Sequence, residues 1–168
     1  MSEADRRRIF EAWIDQHRGL IFKIVRAYAH TVMDREDLFQ EVAVQLWRSV
    51  SSFKGESKET TWIYRVALNT AMRWLHVEKR RDRIDIKDAQ SVLRESESPA
   101  DDQLAWLYSE IAALDDIDRS LALMLLDDLS YKEMSTVLGI TESNVGVRIH
   151  RVKKYLIAKS KKAEGNGI

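Results

Sequence analysis

Apolar residues recur every three or four positions along most of the chain, the spacing that places them on one face of an α-helix. Residues 7–29 carry two such stripes, one on each side of Gly19, and residues 104–158 carry several more. The chain has one proline and six glycines among 168 residues, so helix breakers are few. We therefore predict an all-α fold.

Two further helices are predicted in the first half of the chain. Asp34 is suited to cap one of them, and the loop predicted over 51–59 separates it from the next. That next helix is predicted to begin at Thr60 or Thr61 and to run to about Arg80. In the helix before the loop, apolar residues recur every four positions: Leu38, Val42 and Leu46.

The apolar pattern stops between residues 81 and 103, where charged residues and serines dominate and Pro99 lies near the end. We predict a flexible linker over 81–103, between a first helical domain at 1–80 and a second at 104–168. A linker of 23 residues extends to at most ~80 Å, at about 3.3–3.6 Å per residue.

The second domain contains the pattern of a helix-turn-helix. Ser130 and Glu133 form a capping-box pattern at the start of a short helix, Gly139 ends that helix, and Thr141 caps a longer one. Four residues of the longer helix are predicted to face the core: Val145, Ile149, Val152 and Leu156. Its other face is predicted to carry Asn144, Arg148 and Arg151, flanked by Ser143, Val147 and His150. Arginine and asparagine are well shaped to bind base edges in the major groove of DNA.

The distribution of charge along the chain favours DNA binding by the helix-turn-helix, although a net charge of zero by itself argues against a nucleic-acid-binding protein. Residues 104–142 hold eight acidic and two basic side chains, whereas residues 143–168 hold one acidic and seven basic side chains. The basic side chains are therefore concentrated on and after the second helix of the motif.

Several classes of protein are disfavoured by composition. The chain has no cysteine, so neither a disulfide framework nor a thiol nucleophile is possible. Its four histidines are scattered and lack the spacing of a metal-binding helix motif, so we expect no metal, no cofactor and no catalysis. The chain starts without an apolar stretch of signal-peptide length, and we expect a cytoplasmic protein without membrane insertion.

Two segments together resemble the extracytoplasmic function (ECF) group of the sigma-70 family of RNA polymerase sigma factors. The first comprises residues 34–42, from Asp34-Arg35-Glu36-Asp37 to Val42, followed by Leu46 and Trp47. The second comprises Phe53-Lys54-Gly55 and, after the rest of the loop, residues 61–71. These segments resemble sigma region 2, and residues 104–157 resemble region 4.

The resemblance implies a non-enzymatic protein that binds core RNA polymerase and promoter DNA, and it assigns residues to each partner. Asp37, Leu38, Gln40 and Glu41 are implied to bind the polymerase. The implied contacts with the melted −10 element are Phe53, Lys54, Lys58, Trp62, Arg65, Asn69 and Arg73. Those implied for the duplex −35 element are Ser143, Asn144, Arg148, His150 and Arg151. Members of the family usually also pair with an anti-sigma factor.

The residues themselves support part of this assignment. Five residues of the predicted fourth helix line up at helical spacing: Trp62, Arg65, Asn69, Arg73 and His76. They offer the cations, amide and aromatic ring that single-stranded DNA requires. The recognition helix departs from the family, because Gly146 and Val147 replace residues that often contact DNA in relatives, so the −35 sequence cannot be taken from them.

Two other interpretations remain open at this point. A different helix-turn-helix regulator would bind duplex DNA without polymerase, and a helical adaptor would bind protein only. Co-purification with core polymerase distinguishes the sigma-factor interpretation from the regulator.

Overall fold

A computed structural model of the chain describes residues 1–82 and 99–166, and those residues form helices and no strand. The described part divides into two compact units, the first containing α1 to α4 and the second α5 to α8. The helices are α1 (Glu3–Gln16), α2 (Arg18–Tyr28), α3 (Val32–Ser49), α4 (Glu59–Asp82), α5 (Pro99–Ala112), α6 (Asp116–Leu126), α7 (Tyr131–Leu138) and α8 (Glu142–Gly165). The predicted all-α fold is confirmed.

The first unit is built around α4, which packs against both α2 and α3, while α1 lies against α3. Its centre consists of fully buried side chains, among them Ile21, Ile24, Tyr28, Leu38, Val42, Leu46, Ile63, Tyr64 and Leu68. Arg6 of α1 also contacts the last turn of α3. Its guanidinium donates hydrogen bonds of 3.1 and 2.9 Å to the main-chain oxygen of Trp47 and lies 4.4 Å from the centre of the Trp47 ring.

Helix boundaries in the first unit differ from the predicted ones in three places. Residues 7–29 form parts of two helices that meet at His17, which ends α1 and precedes α2. The N-cap of α3 is Thr31, whose side chain accepts from the backbone N–H of Asp34, so the predicted cap at Asp34 is wrong. The helix α4 begins at Glu59, before either predicted cap.

The predicted linker over 81–103 falls mostly outside the described residues, which resume at position 99. At its two ends, α4 continues to Asp82 and α5 begins at Pro99. Proline is favoured at the first position of a helix because its missing N–H has no partner there in any case. The last five residues assigned to the linker are therefore helical.

The second unit confirms the predicted helix-turn-helix. Ser130 caps α7 in a reciprocal capping box with Glu133, and Gly139 ends α7 in the left-handed conformation at φ 67°. Thr141 caps α8 by accepting from the backbone N–H of Asn144 at 3.1 Å. Val145, Ile149 and Val152 are buried as predicted, whereas Leu156, the fourth residue predicted to face the core, is only half-buried. Both α6 and α7 pack against α8.

Two polar side chains fix α5 within the second unit. The buried Arg119 of α6 donates to the main-chain oxygen of Ala112, the last residue of α5, at 2.7 Å and to that of Leu114, just beyond α5, at 3.2 Å. The Tyr155 hydroxyl of α8 donates to the Glu110 carboxylate at 2.9 Å, a hydrogen bond that raises the pKa of the tyrosine. Through these contacts α5 is held to both α6 and α8.

Candidate polymerase and DNA interfaces

The exposed face of α3 carries three of the four residues assigned to the polymerase. Asp37, Gln40 and Glu41 are exposed, and the Glu41 carboxylate accepts from the Gln45 side-chain amide at 3.0 Å. Leu38 is completely buried, so its assignment as a contact residue is wrong. Its spacing with other apolar residues of α3 places it in the core, where it supports the exposed face from beneath.

A groove of mixed charge separates this face of α3 from α4. Asp37 and Glu41 line one side of the groove, and Thr70, Arg73 and Trp74 line the other. The structure therefore brings Arg73, assigned to −10 DNA, to the same groove as two residues assigned to the polymerase.

An aromatic cluster holds the beginning of the loop between α3 and α4. The Phe53 ring centre lies 5.4 Å from that of Trp13 and 5.5 Å from that of Trp62. The indole N–H of Trp62 donates to the Ser49 hydroxyl at 3.1 Å. Phe53 and Trp62 are thus half-buried, and only part of each ring is available for stacking on a base.

The outer face of α4 continues from this cluster as a polar stripe. Arg65, Asn69 and Arg73 are exposed at four-residue intervals, and the Arg73 side chain donates to the main-chain oxygen of Asn69 at 3.4 Å. Lys54 and Lys58 are exposed in the preceding loop. The structure therefore confirms that the three polar residues share one accessible face of α4.

In the second unit, the residues assigned to −35 DNA differ in accessibility. Ser143, Asn144, His150 and Arg151 are exposed on α8. The Arg148 guanidinium, however, donates to the Asp118 carboxylate at 2.8 Å and lies 3.7 Å from that of Asp115. Its side chain is only 26% exposed, compared with 60% for Arg151, which lies 3.7 Å from Asp118.

The acidic start of α6 is a part of this surface that was not predicted. Asp115 caps α6 and Asp118 lies in its first turn, where carboxylates are stabilised by the helix dipole. The excess of acidic residues over 104–142 indicated an acidic surface in the second unit. It did not identify which carboxylate would form an ion pair with an arginine of α8. Arg148 is consequently held on the side of α8 that faces α6.

Two negative findings apply to the part of the chain that the structure describes. Across residues 1–82 and 99–166, no helix is both long and apolar enough to cross a membrane. Among the same residues, no three acidic or histidine side chains are grouped closely enough to hold a metal ion.

Comparison with known families matches both units. The family model for Sigma-70 region 2 matches residues 13–81, and that for Sigma-70 region 4 matches residues 104–156. The RNA polymerase sigma-H factor of Pseudomonas aeruginosa is 27% identical over 167 residues, covering 89% of this chain and 85% of that protein. The ECF RNA polymerase sigma-E factor of Escherichia coli K12 is 27% identical over 163 residues, with the same coverage.

Two solved structures share the fold. The sigma factor RpoE of Bartonella quintana, in a complex with the anti-sigma factor NepR, aligns with a TM-score of 0.70 at 16% identity, covering 92% of this chain and 98% of that chain. CnrH, in a complex with the cytosolic domain of CnrY, aligns with a TM-score of 0.69 at 21% identity, covering 93% and 90%.

The fold and these surfaces define a two-unit helical regulator that carries a helix-turn-helix. The chain belongs to the sigma-70 family of RNA polymerase sigma factors, in its extracytoplasmic function group, as the sequence predicted. Sigma factors bind core RNA polymerase and recognise promoters to initiate transcription, and they act as regulators rather than enzymes.

Proposed function

We propose that the two units divide promoter recognition, with the first opening the −10 element and the second binding the −35 duplex. The domain bounds proposed for this division are 1–80 and 104–168, with 81–103 as the tether. The observation that carries the proposal is the exposed stripe of Arg65, Asn69 and Arg73 on α4, beside a loop that bears two exposed lysines. Such a stripe combines phosphate neutralisation with hydrogen bonding to an unpaired base.

The polymerase-binding surface proposed for the first unit is the exposed face of α3. Asp37, Gln40 and Glu41 present two carboxylates and an amide, which suit a partner helix with basic side chains. Arg73 borders the same groove as both carboxylates. Its substitution is therefore expected to affect polymerase binding as well as −10 binding.

For the −10 element, we assign Asn69 to a base edge and the basic side chains to the phosphates. Extruding a base from the duplex costs a few kcal/mol, which contacts in a pocket must offset. The half-buried Phe53 and Trp62 rings define one wall of such a pocket, next to the loop that carries Lys54 and Lys58.

The proposed partners include an anti-sigma factor, in line with the complex of RpoE with the anti-sigma factor NepR. We further propose that the chain acts in the cytoplasm, together with the polymerase, and that it has no catalytic activity of its own.

Run-off transcription tests the proposal against a regulator that binds duplex DNA alone. The purified chain is added to core RNA polymerase from the same bacterium on a library of genomic fragments, and the start sites are mapped. We expect initiation at defined positions only when both components are present. If the chain bound the selected fragments equally well without polymerase and produced no start sites, the regulator interpretation would replace ours.

A paired variant tests the α3 surface. The double substitution Asp37→Ala and Glu41→Ala removes both exposed carboxylates without touching the core, and it should abolish co-purification with core polymerase. Glu11→Ala removes an exposed carboxylate of α1 in the same unit and serves as the matched control. Equal polymerase binding by the double variant and the control would refute the assignment of this surface.

A further inference from the structure

The solvent-facing side of α8 carries an exposed apolar side chain, Val147, near the start of the helix. Val147 is 61% exposed, whereas Val145 and Ile149 on either side of it in sequence are completely buried. Because successive residues of an α-helix are rotated by about 100°, position 147 lies opposite the buried stripe. Three exposed polar residues share that face with it: Ser143, His150 and Lys154.

The residues adjacent to Val147 do not cover it. Gly146 has no side chain, and the Tyr131 ring of α7 occupies the space beside it, 3.6 Å from where a Cβ atom would stand. On the other side, Arg148 is drawn towards α6 by its ion pair with Asp118. The two methyl groups of Val147 are therefore accessible on a face of α8 that it shares with exposed polar residues.

We propose that Val147 is a specificity-determining residue that contacts the C5 methyl group of a thymine in the −35 element. The inference rests on the proposed role of α8 in binding the −35 duplex. In a helix-turn-helix, residues near the start of the second helix contact base edges in the major groove. The thymine methyl is the apolar group displayed on those edges, and aliphatic side chains read it by contact.

The spacing along α8 supports a central position for this contact. At 1.5 Å per residue, the stretch from Ser143 to His150 spans roughly 10 Å, about the length of three base pairs. Ser143 and His150 offer hydrogen-bonding groups at the two ends of that stretch, and Val147 lies between them. The aliphatic contact is thus flanked by polar groups suited to the neighbouring bases or phosphates.

Replacing thymine by deoxyuridine tests the contact, because this change removes only the methyl group. The probe is a promoter fragment mapped by run-off transcription, with each thymine of the −35 element replaced singly on either strand. A buried methyl group contributes about 0.8 kcal/mol, or about fourfold in affinity. At one of these positions, the wild-type holoenzyme should therefore bind the deoxyuridine promoter about fourfold more weakly than the thymine promoter. Val147→Ala should weaken binding to the unmodified promoter, and because only Cβ remains at position 147, it should lower the fourfold preference for thymine over deoxyuridine at that position to less than about twofold.

Ile157→Ala is the matched control, since Ile157 is an aliphatic residue of the same helix that is 56% exposed and lies further from its start. This variant should keep the wild-type ratio of thymine to deoxyuridine affinities. The inference is overturned if no position is sensitive to the methyl group, or if Val147→Ala retains the full wild-type sensitivity. Either result leaves initiation by the holoenzyme intact and is therefore distinct from failure of the proposed function.

Discussion

Arg148 and Arg151 lie one turn apart on α8, yet the structure gives them different environments, and their substitution should separate stability from DNA binding. Arg148 is bound to Asp118 at 2.8 Å within the second unit, and the two side chains are 26% and 13% exposed. Arg151 is 60% exposed and only borders the same carboxylate at 3.7 Å. We expect Arg148→Ala to lower stability and Arg151→Ala to lower the affinity for DNA.

The magnitudes follow from these contacts. A hydrogen bond between charged, partly buried groups contributes about 1.5–3 kcal/mol. Because the exposed Arg151 remains near Asp118 after the change, we expect Arg148→Ala to cost about 2 kcal/mol of unfolding free energy. Arg151→Ala should cost less than about 0.5 kcal/mol, but the loss of one phosphate contact should reduce the slope of log affinity against log salt by about 0.9.

Two measurements on the same variants test this division. Urea unfolding of the chain, followed by circular dichroism, gives the change in stability relative to the wild type, and holoenzyme binding to a −35 duplex at several salt concentrations gives the slope. A double-mutant cycle with Asp118→Asn isolates the ion pair, because Asp118→Asn should cost less in the Arg148→Ala background than in the wild type, by the energy of that pair. If Arg148→Ala left stability unchanged and reduced the slope as much as Arg151→Ala, Arg148 would leave Asp118 to bind phosphate, which would refute the division of roles between the two arginines.

Three further predictions concern other parts of the chain. Asn69→Ala should impair promoter opening, measured by permanganate reactivity of unpaired thymines, while polymerase binding stays at the wild-type level; loss of polymerase binding would contradict the assignment. Arg6→Ala removes both hydrogen bonds that the Arg6 side chain donates to the main-chain oxygen of Trp47. It should therefore lower the unfolding free energy of the first unit by about 1–2 kcal/mol, measured by urea unfolding. Gly139→Ala should destabilise the helix-turn-helix by about 1 kcal/mol, seen as a lower melting temperature, because alanine is strained at φ 67°; an unchanged melting temperature would show that the turn adopts another conformation.

Local sequence signals predicted the second unit well. The capping box at Ser130, the turn at Gly139 and the cap at Thr141 each depend on groups within three or four residues, so one sequence contains all the necessary information. At the start of α3, by contrast, Thr31 and Asp34 are both good capping residues. Choosing between them required knowing where α2 ends.

Sequence patterns could not predict contacts between residues that are far apart in the chain. Arg148 and Asp118 are thirty positions apart, and their pairing depends on how α6 packs against α8. Leu38 presented a different difficulty, because its spacing in α3 predicted a core residue while the family resemblance assigned it to the polymerase. The structure agrees with the spacing, since burial of an apolar stripe determines which side of α3 faces inward.

The cluster of Trp13, Phe53 and Trp62 has a consequence for observing promoter opening. Phe53 contacts tryptophans of two different helices, α1 and α4, and it lies at the start of the loop proposed to meet the melted strand. If the melted strand displaces this loop, the surroundings of both indole rings change. Tryptophan fluorescence of the chain is therefore expected to respond when the melted strand binds.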